Sequence, residues 1–240
     1  MARERVFRFK QFQVSHSRAA MKVGTDAVLL GAWCSVIGAR NVLDVGTGCG
    51  VIALMIAQRS AVSHIIGIDI DGNAVEEAQQ NFSNSPWRDR LKAELCDFND
   101  YFTKESGTEK FDLIVSNPPY FMNGDLPNGP ERTNARHTTE LNYSQLFNCS
   151  RALLSPEGRV AIVTPADCEQ HINECAAFAG MHLTRLLKVA PVKGSEVKRL
   201  LWEFSLKPTD VEEQLIAIEI APLCYTDEYK ALCRDFYLKF

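Results

Sequence analysis

No stretch of the chain approaches 18 consecutive apolar residues, so no transmembrane helix is expected. The opening Met1-Ala2-Arg3-Glu4-Arg5 is basic but leads into no apolar signal core, so no secretory leader is expected either. There is no C-x-x-C pair. The eight cysteines are scattered, which argues against a zinc site or a disulfide framework and for reduced thiols in a cytoplasmic, metal-free protein. Positive charge is not in excess: 26 Lys and Arg stand against 30 Asp and Glu, for a net charge of -4. Nucleic-acid binding would therefore have to rest on a local basic patch. Internal repeats, low-complexity tracts and linkers are also missing. That points to one domain over residues 1–240, with residues 1–40 as an N-terminal extension.

What the sequence does have is a regular alternation of strand-like and helix-like segments. A hydrophobic content of 46% and a charged content of 23% suit a globular chain. Strands are predicted at Asn41–Val45, His64–Asp69, Leu91–Cys96, Phe111–Ser116 and Arg159–Thr164. Helices are predicted at Val51–Arg59, Asn73–Asn84, Tyr143–Leu154 and Asp167–Ala179, with a Pro156-Glu157-Gly158 turn before the fifth strand. This is the pattern of an α/β fold with a doubly wound parallel sheet. Ahead of it, Phe7, Phe9, Phe12 and Val14 suggest a short extended segment, and a helix runs from Ala27 to about Ile37 with Thr25 or Asp26 as its cap. Behind it, His182–Ala190, Arg199–Leu206 and Gln214–Ile220 read as strands, and Tyr225–Phe240 as a closing amphipathic helix. Phe121–Glu140 and Pro191–Lys198 have no periodicity. A long irregular loop in a compact domain is either functional or disordered.

Asp44-Val45-Gly46-Thr47-Gly48-Cys49-Gly50 follows the first strand and opens a helix. Glycines there permit a tight turn and a close approach of backbone to ligand. Asp69 lies 19 residues beyond Gly50 at the end of the second strand, where a carboxylate can accept hydrogen bonds from ribose hydroxyls. Asp97 follows the third strand and is placed to meet an adenine edge. Strand, turn, helix and delayed acid fall in the order a nucleoside site requires. The spacing is G-x-G-x-G, not the G-x-G-x-x-G of dinucleotide sites, which disfavours a nicotinamide dehydrogenase. Asp44, two residues before Gly46, is placed to pair with a ligand ammonium; capping of the turn is its alternative role.

The fourth strand, Phe111–Ser116, ends abruptly in Asn117-Pro118-Pro119-Tyr120. The prolines fix φ and lack N–H groups, and Asn117, standing before a proline, is pushed to an extended conformation. The result is a stiff ledge able to offer the Asn117 amide, backbone carbonyls and the Tyr120 ring to a flat group bearing NH2. A proline-capped strand with a packed tyrosine is the simpler alternative. In a sheet of order 3-2-1-4-5 the chain reverses between strands 1 and 4, and ligands bind outside their carboxyl ends. The ledge and the glycine turn would then be neighbours.

The glycine turn resembles motif I of the class I S-adenosylmethionine-dependent methyltransferases, and Asn117-Pro118-Pro119-Tyr120 resembles motif IV of those that modify a planar amine. Met21-Lys22-Val23-Gly24-Thr25-Asp26 with Leu29-Leu30-Gly31-Ala32-Trp33, the Arg132 and Ala135-Arg136-His137 positions, and Asp235-Phe236-Tyr237-Leu238 are similar to the valine-tRNA adenine-37 N6-methyltransferases. The resemblance implies a Rossmann-like sheet of order 3-2-1-4-5-7-6 with the last strand antiparallel, S-adenosyl-L-methionine as cofactor and tRNA as partner; the sequence does not fix the oligomeric state, with a monomer favoured. It implies catalytic roles for Asn117, Pro118 and Tyr120: the Asn117 side chain and the Pro118 carbonyl accept the two amine N–H bonds, and Tyr120 stacks on the base. Cofactor contacts are implied for Lys22, Thr25, Asp44, Gly46, Gly48, Gly50, Asp69, Asp97 and Asn117; for Lys22 and Thr25 a role in starting the helix is the alternative. Arg132, Arg136, His137, Lys193 and Lys198 are the candidate RNA contacts, with Arg3, Arg5, Arg8, Lys10 and Arg199 as further cations; each taken singly also reads as a solvated surface charge. Methylation of a protein glutamine or of guanine N2 in rRNA would use the same ledge. DNA adenine methylation would need a recognition domain for which no segment is long enough, and intact Asp44, Gly46, Gly48, Asp69 and Asn117 argue against an idle RNA-binding relative.

Overall fold

Two short strands, β1 (Val6–Arg8) and β2 (Gln13–Ser15), form an antiparallel hairpin ahead of helix α1 (Thr25–Trp33) in the computed structural model, which describes residues 6–18, 22–105, 110–118 and 142–240. Next come β3 (Asn41–Val45), α2 (Val51–Arg59), β4 (His64–Asp69), α3 (Gly72–Ser83) and β5 (Leu91–Leu95). Then α4 (Phe98–Glu105) and β6 (Phe111–Ser116) lead to α5 (Tyr143–Leu153), β7 (Leu154–Pro165) and α6 (Glu169–Phe178). The chain finishes with β8 (His182–Val192), β9 (Arg199–Ser205), β10 (Glu212–Ala221), β11 (Cys224–Tyr225) and α7 (Asp227–Cys233).

β3 to β11 form one sheet in the order β5-β4-β3-β6-β7-β9-β8-β10-β11. β3 pairs in parallel with β4 and β6, β6 with β7, while β9 is antiparallel to both β7 and β8. Counted from β3, the first seven strands have the order 3-2-1-4-5-7-6 with the seventh antiparallel, as expected; β10 and β11 continue the sheet past them. The central strands are apolar on both faces because both faces are covered. Val42, Leu113, Val115 and Val163 face a layer that includes Leu29 of α1, Leu54 of α2 and Phe82 of α3. Leu43, Val45, Ile114 and Ile162 face the opposite layer with Phe147 of α5 and Ile172 of α6.

Five expectations need correction. α1 stops at Trp33 instead of Ile37, and Gly24, not Thr25 or Asp26, is its cap, without a side-chain bond. Asp26 instead pairs with Arg199 at 2.8 Å. β7 starts at Leu154, absorbing the predicted Pro156-Glu157-Gly158 turn as an irregularity against Phe111–Leu113. The closing helix is only Asp227–Cys233: Tyr225 is taken by pairing with Glu219 of β10, and the Thr226 hydroxyl accepts from the Tyr229 N–H to start the helix there. Finally α4, where the sequence suggests no helix, anchors through buried Phe98 and Tyr101.

Candidate functional site

β3 ends at Val45 and the chain turns through Gly46 and Gly48 into α2. The Gly46 and Thr47 N–H groups both donate to Ile68 of β4 at 2.9 Å, and the Gly50 N–H closes the turn on Thr47 at 2.8 Å. Gly46, Gly48 and Gly50 have φ of 71°, 56° and 79°, a region costly for any residue with a Cβ. Their roles differ. A Cβ on Gly46 or Gly48 would meet nothing within 4 Å, so these two face open space, whereas on Gly50 it would lie 2.4 Å from the Phe82 ring. Gly50 is bare so that α3 can pack; Gly46 and Gly48 form the surface a ligand can approach.

Two acids brace this turn. Asp44 is fully buried, and its Oδ2 accepts from the Thr47 hydroxyl at 2.7 Å. Its Oδ1 has no hydrogen-bond partner among the described residues. Burial, opposed chiefly by the Thr47 hydroxyl, raises the Asp44 carboxyl to about 7. Asp69, at the end of β4, accepts from the Gly48 N–H at 2.9 Å and, through its other oxygen, from the Asp71 N–H at 3.0 Å. Each oxygen keeps a lone pair for a further donor. Gly67 was not foreseen as a contributor: a Cβ there would sit 2.6 Å from the Thr47 hydroxyl, so the strand must be bare for Thr47 to reach Asp44. A glycine inside a strand is the signal of such an approach.

Asp97 follows β5, and its Oδ1 accepts from both the backbone and the side-chain nitrogen of Asn99, at 2.8 and 3.0 Å. It lines a cleft of about 730 Å³ together with Ile70, Leu95 and Cys96. Ile70 and Leu95 are 58% and 64% exposed, apolar surfaces that suit the faces of a flat ring. Cys49, inside the glycine turn, has its thiol pushed up to about 12 by burial, which removes thiolate chemistry from the site.

On the far side of β3, Ser116 ends β6 opposite Val45, and Asn117 and Pro118 continue from it. Asn117 is half-buried and Pro118 is buried. Tyr120, Arg132, Arg136, His137 and the Phe121–Glu140 loop lie outside the described residues. The ends of β5, β4, β3 and β6 thus bring Asp97, Asp69, Gly46 and Asn117 into one row along the carboxyl edge of the sheet. With strands about 4.8 Å apart the row is roughly 14 Å long. That length accommodates a nucleoside with an amino-acid tail at one end and a planar amine at the other. An orphaned carboxylate oxygen at Asp44, open space at Gly46 and Gly48 and spare acceptors on Asp69 all fit such a cofactor.

The remaining candidate residues are at the rim. Lys22 and Thr25 are exposed at the head of α1. β8 is parallel to β7, so the loop of residues 193–198 emerges at the same edge of the sheet. Lys198 pairs there with Glu196 at 2.7 Å, and the Lys193 N–H donates to Glu219 at 2.8 Å. The Lys10 ammonium donates to the backbone oxygens of Arg234 and Phe240. Arg199 is occupied with Asp26. A second cavity of about 600 Å³ lies at the opposite edge of the sheet. Its Arg59 and Arg159 donate to carbonyls of Gly31, Cys34 and Ile37, capping the end of α1. Among the described residues no cluster could hold a metal ion, and no helix is long and apolar enough to cross a membrane.

The same chain pattern recurs in known proteins. A family model described as the methyltransferase small domain matches residues 9–176. A protein of Phocaeicola vulgatus named tRNA1(Val) (adenine(37)-N6)-methyltransferase is 45% identical over 232 residues, covering 97% of each chain. A protein of the same name from Trichodesmium erythraeum is 42% identical over 236 residues, covering 98% of each. Among solved structures, one described as a predicted O-methyltransferase from Agrobacterium tumefaciens superposes with a TM-score of 0.66 at 16% identity, covering 88% of this chain and 96% of its own. That likeness concerns the fold alone. With its glycine turn, its row of strand-end residues and this end-to-end similarity, the chain belongs to the methyltransferase small domain family and groups with relatives named tRNA1(Val) (adenine(37)-N6)-methyltransferases.

Proposed function

We propose that this protein transfers a methyl group from S-adenosyl-L-methionine to the N6 amine of adenine in tRNA, at adenine 37 of valine tRNA. The observation that carries the chemistry is the juxtaposition of Asn117 and Pro118 with Gly46 across the β3–β6 pairing. The choice of tRNA rests on relatives 42–45% identical over nearly the whole chain.

Each residue has a stated task. Asp69 receives the ribose hydroxyls while holding Gly48; Ile70 and Leu95 flank the adenine of the cofactor, and Asp97 takes its exocyclic amine. Asp44, through its orphaned oxygen, balances the ammonium of the amino-acid tail. The Asn117 side-chain oxygen and the Pro118 carbonyl accept the two N6–H bonds of the target base, turning the amine lone pair toward the methyl, and Tyr120 stacks on its ring. The cofactor supplies a methyl on a sulfonium, a strong donor, so positioning and electrostatics are what the chain has to add. The nitrogen lone pair would form the new N–C bond as the S–C bond breaks with its electrons going to sulfur, and the amine would release one proton to water. Lys193 and Lys198, with Arg132, Arg136 and His137, contact the RNA backbone. Recognition of a splayed anticodon-loop base needs only such a modest basic rim.

The test is incubation with labelled S-adenosyl-L-methionine and separate pools of tRNA, rRNA, DNA and protein, followed by nucleoside identification. N6-methyladenosine in valine tRNA is the expected product. Label in guanosine of rRNA or in protein glutamine would overturn the tRNA assignment.

A further inference from the structure

Two polar side chains on the inward face of α3 have no task in the reaction above. That face buries Ala74, Ala78 and Phe82, yet it also buries Glu77 and Asn81, which are 1% and 4% exposed. A buried amide or carboxylate persists only where hydrogen bonds replace its water, so its partners define its role.

The partners of Asn81 are unusual in their distribution. Its Oδ1 accepts from the Ser15 N–H at 2.9 Å, and its Nδ2 donates to the Ser15 carbonyl at 2.9 Å and to the Cys49 carbonyl at 2.8 Å. One amide thus grips the end of β2 as a neighbouring strand would, and at the same time holds the glycine turn. One helical turn earlier, Glu77 Oε1 accepts from the Ser17 N–H at 2.6 Å and from the Ser17 hydroxyl at 3.1 Å. Both oxygens of Glu77 accept from the Arg18 N–H at 3.1 Å. Farther along, the Val23 N–H donates to His16 Nδ1 at 3.2 Å.

The Cys49 carbonyl is a sensitive point to hold. It lies between Gly48 and Gly50, both at positive φ, where the backbone is least constrained by side chains. A hydrogen bond on that carbonyl limits rotation of the peptide plane and keeps the turn in the shape a ligand meets, which is preorganisation in the strict sense. Because the bond comes from the same amide that grips Ser15, the shape of the turn is linked to the docking of the N-terminal segment.

We infer that Asn81 and Glu77 are positioning residues for the cofactor: by fastening Ser15, Ser17 and Arg18 to α3 and bracing the Cys49 carbonyl, they set cofactor affinity without touching the cofactor. This deepens the reading of the glycine turn as the S-adenosyl-L-methionine site and rests on it. The experiment is calorimetric titration of the full chain with S-adenosyl-L-methionine, alongside the melting temperature of the ligand-free protein and steady-state kcat and KM. Asn81→Ala is expected to weaken cofactor binding about tenfold, the loss typical of a hydrogen bond that organises a site. Its kcat at saturating cofactor should stay within about twofold of the unaltered protein, because the amine-holding ledge is untouched. Glu77→Gln keeps the shape of the side chain and removes its charge and one acceptor; it should fold and show a smaller weakening, about threefold. A lower melting temperature with an unchanged dissociation constant in both variants overturns the inference and leaves the cofactor reading standing. Failure of the unaltered protein to bind S-adenosyl-L-methionine overturns both.

Discussion

Ser116 and Val45 face each other at the last rung between β6 and β3, and the buried Ser116 hydroxyl donates to the Val45 carbonyl over 2.8 Å. The next residues on β6 lead into prolines that carry no N–H, so a side-chain donor fastens the rung where the ladder runs out. This bond fixes the spacing between the Asn117 ledge and the glycine turn. Ser116→Ala should lower kcat about tenfold while stability falls by about 1 kcal/mol, and Ser116→Thr should retain most activity. Stopped-time methylation assays with urea titrations check this; an unaffected kcat in Ser116→Ala would remove the spacing role.

Asn117 holds the amine only as methyl transfer proceeds. Asn117→Ala is expected to reduce single-turnover methyl transfer by about 10²–10³-fold, by analogy with the loss of other positioned polar groups that act in a transition state. Cofactor binding, read by equilibrium titration, should change little. A variant that turned over normally would place the amine elsewhere.

Gly50 and Phe82 form a packing pair. Gly50→Ala forces a Cβ to within 2.4 Å of the ring at a φ of 79° and should cost about 2–4 kcal/mol of stability. Adding Phe82→Leu should recover part of the loss, since it removes the clash and leaves the φ strain. Gly48→Ala meets no atom but carries the φ strain of 56°, so it should cost less stability than Gly50→Ala, about 1–2 kcal/mol, and weaken cofactor binding as well. Denaturant midpoints for the three variants and the double mutant decide between these outcomes.

Asp44 predicts a pH dependence of definite sign. Its folded value of about 7 lies above its ordinary 3.8, so the folded chain holds a proton that the unfolded chain releases first. Its contribution to stability is therefore greatest at low pH and falls as pH rises from 3.8 to about 7. A ligand ammonium favours the ionised form, so cofactor affinity should rise with pH up to about 7, approaching tenfold per unit well below it. Asp44→Asn should flatten that profile. A dissociation constant independent of pH between about 5.5 and 7 in the unaltered protein would dismiss the pairing.

Lys193 and Lys198 should differ as RNA contacts. Lys198 is already paired with Glu196, whereas Lys193 has no carboxylate partner among the described residues. Lys193→Ala should reduce the slope of log affinity against log salt by about 0.7–0.9, and Lys198→Ala by less. Equal, unchanged slopes in tRNA-binding titrations would take this loop out of the interface.

Much of this site is written locally. The run Asp44–Gly50 sits between a branched apolar strand and a helix, and Asp69 falls at the following strand end, so spacing alone assembles them. Asn117-Pro118 is likewise a local signal, and strand order brings it to the glycine turn. What escaped the sequence depends on contacts between distant residues. Gly67 matters because Thr47 leans on it, and Asn81 because Ser15 and Cys49 converge there. Asp26 had every mark of a helix cap but found Arg199, 173 residues away. The apolar pattern of residues 225–240 resembles a helix, yet Tyr225 joins β10 and Tyr237 and Phe240 turn back to rings at Tyr225, Tyr229 and the N-terminal hairpin.

The tie from Lys10 to the backbone of Arg234 and Phe240 spans nearly the whole chain, with Phe9 stacked on Tyr237 beside it. Contacts of such separation in sequence form late, after the loop they close has been ordered. During synthesis the hairpin of residues 6–15 therefore waits beside a half-built protein, able to meet α3 early but to gain its second anchor only when Phe240 has left the ribosome.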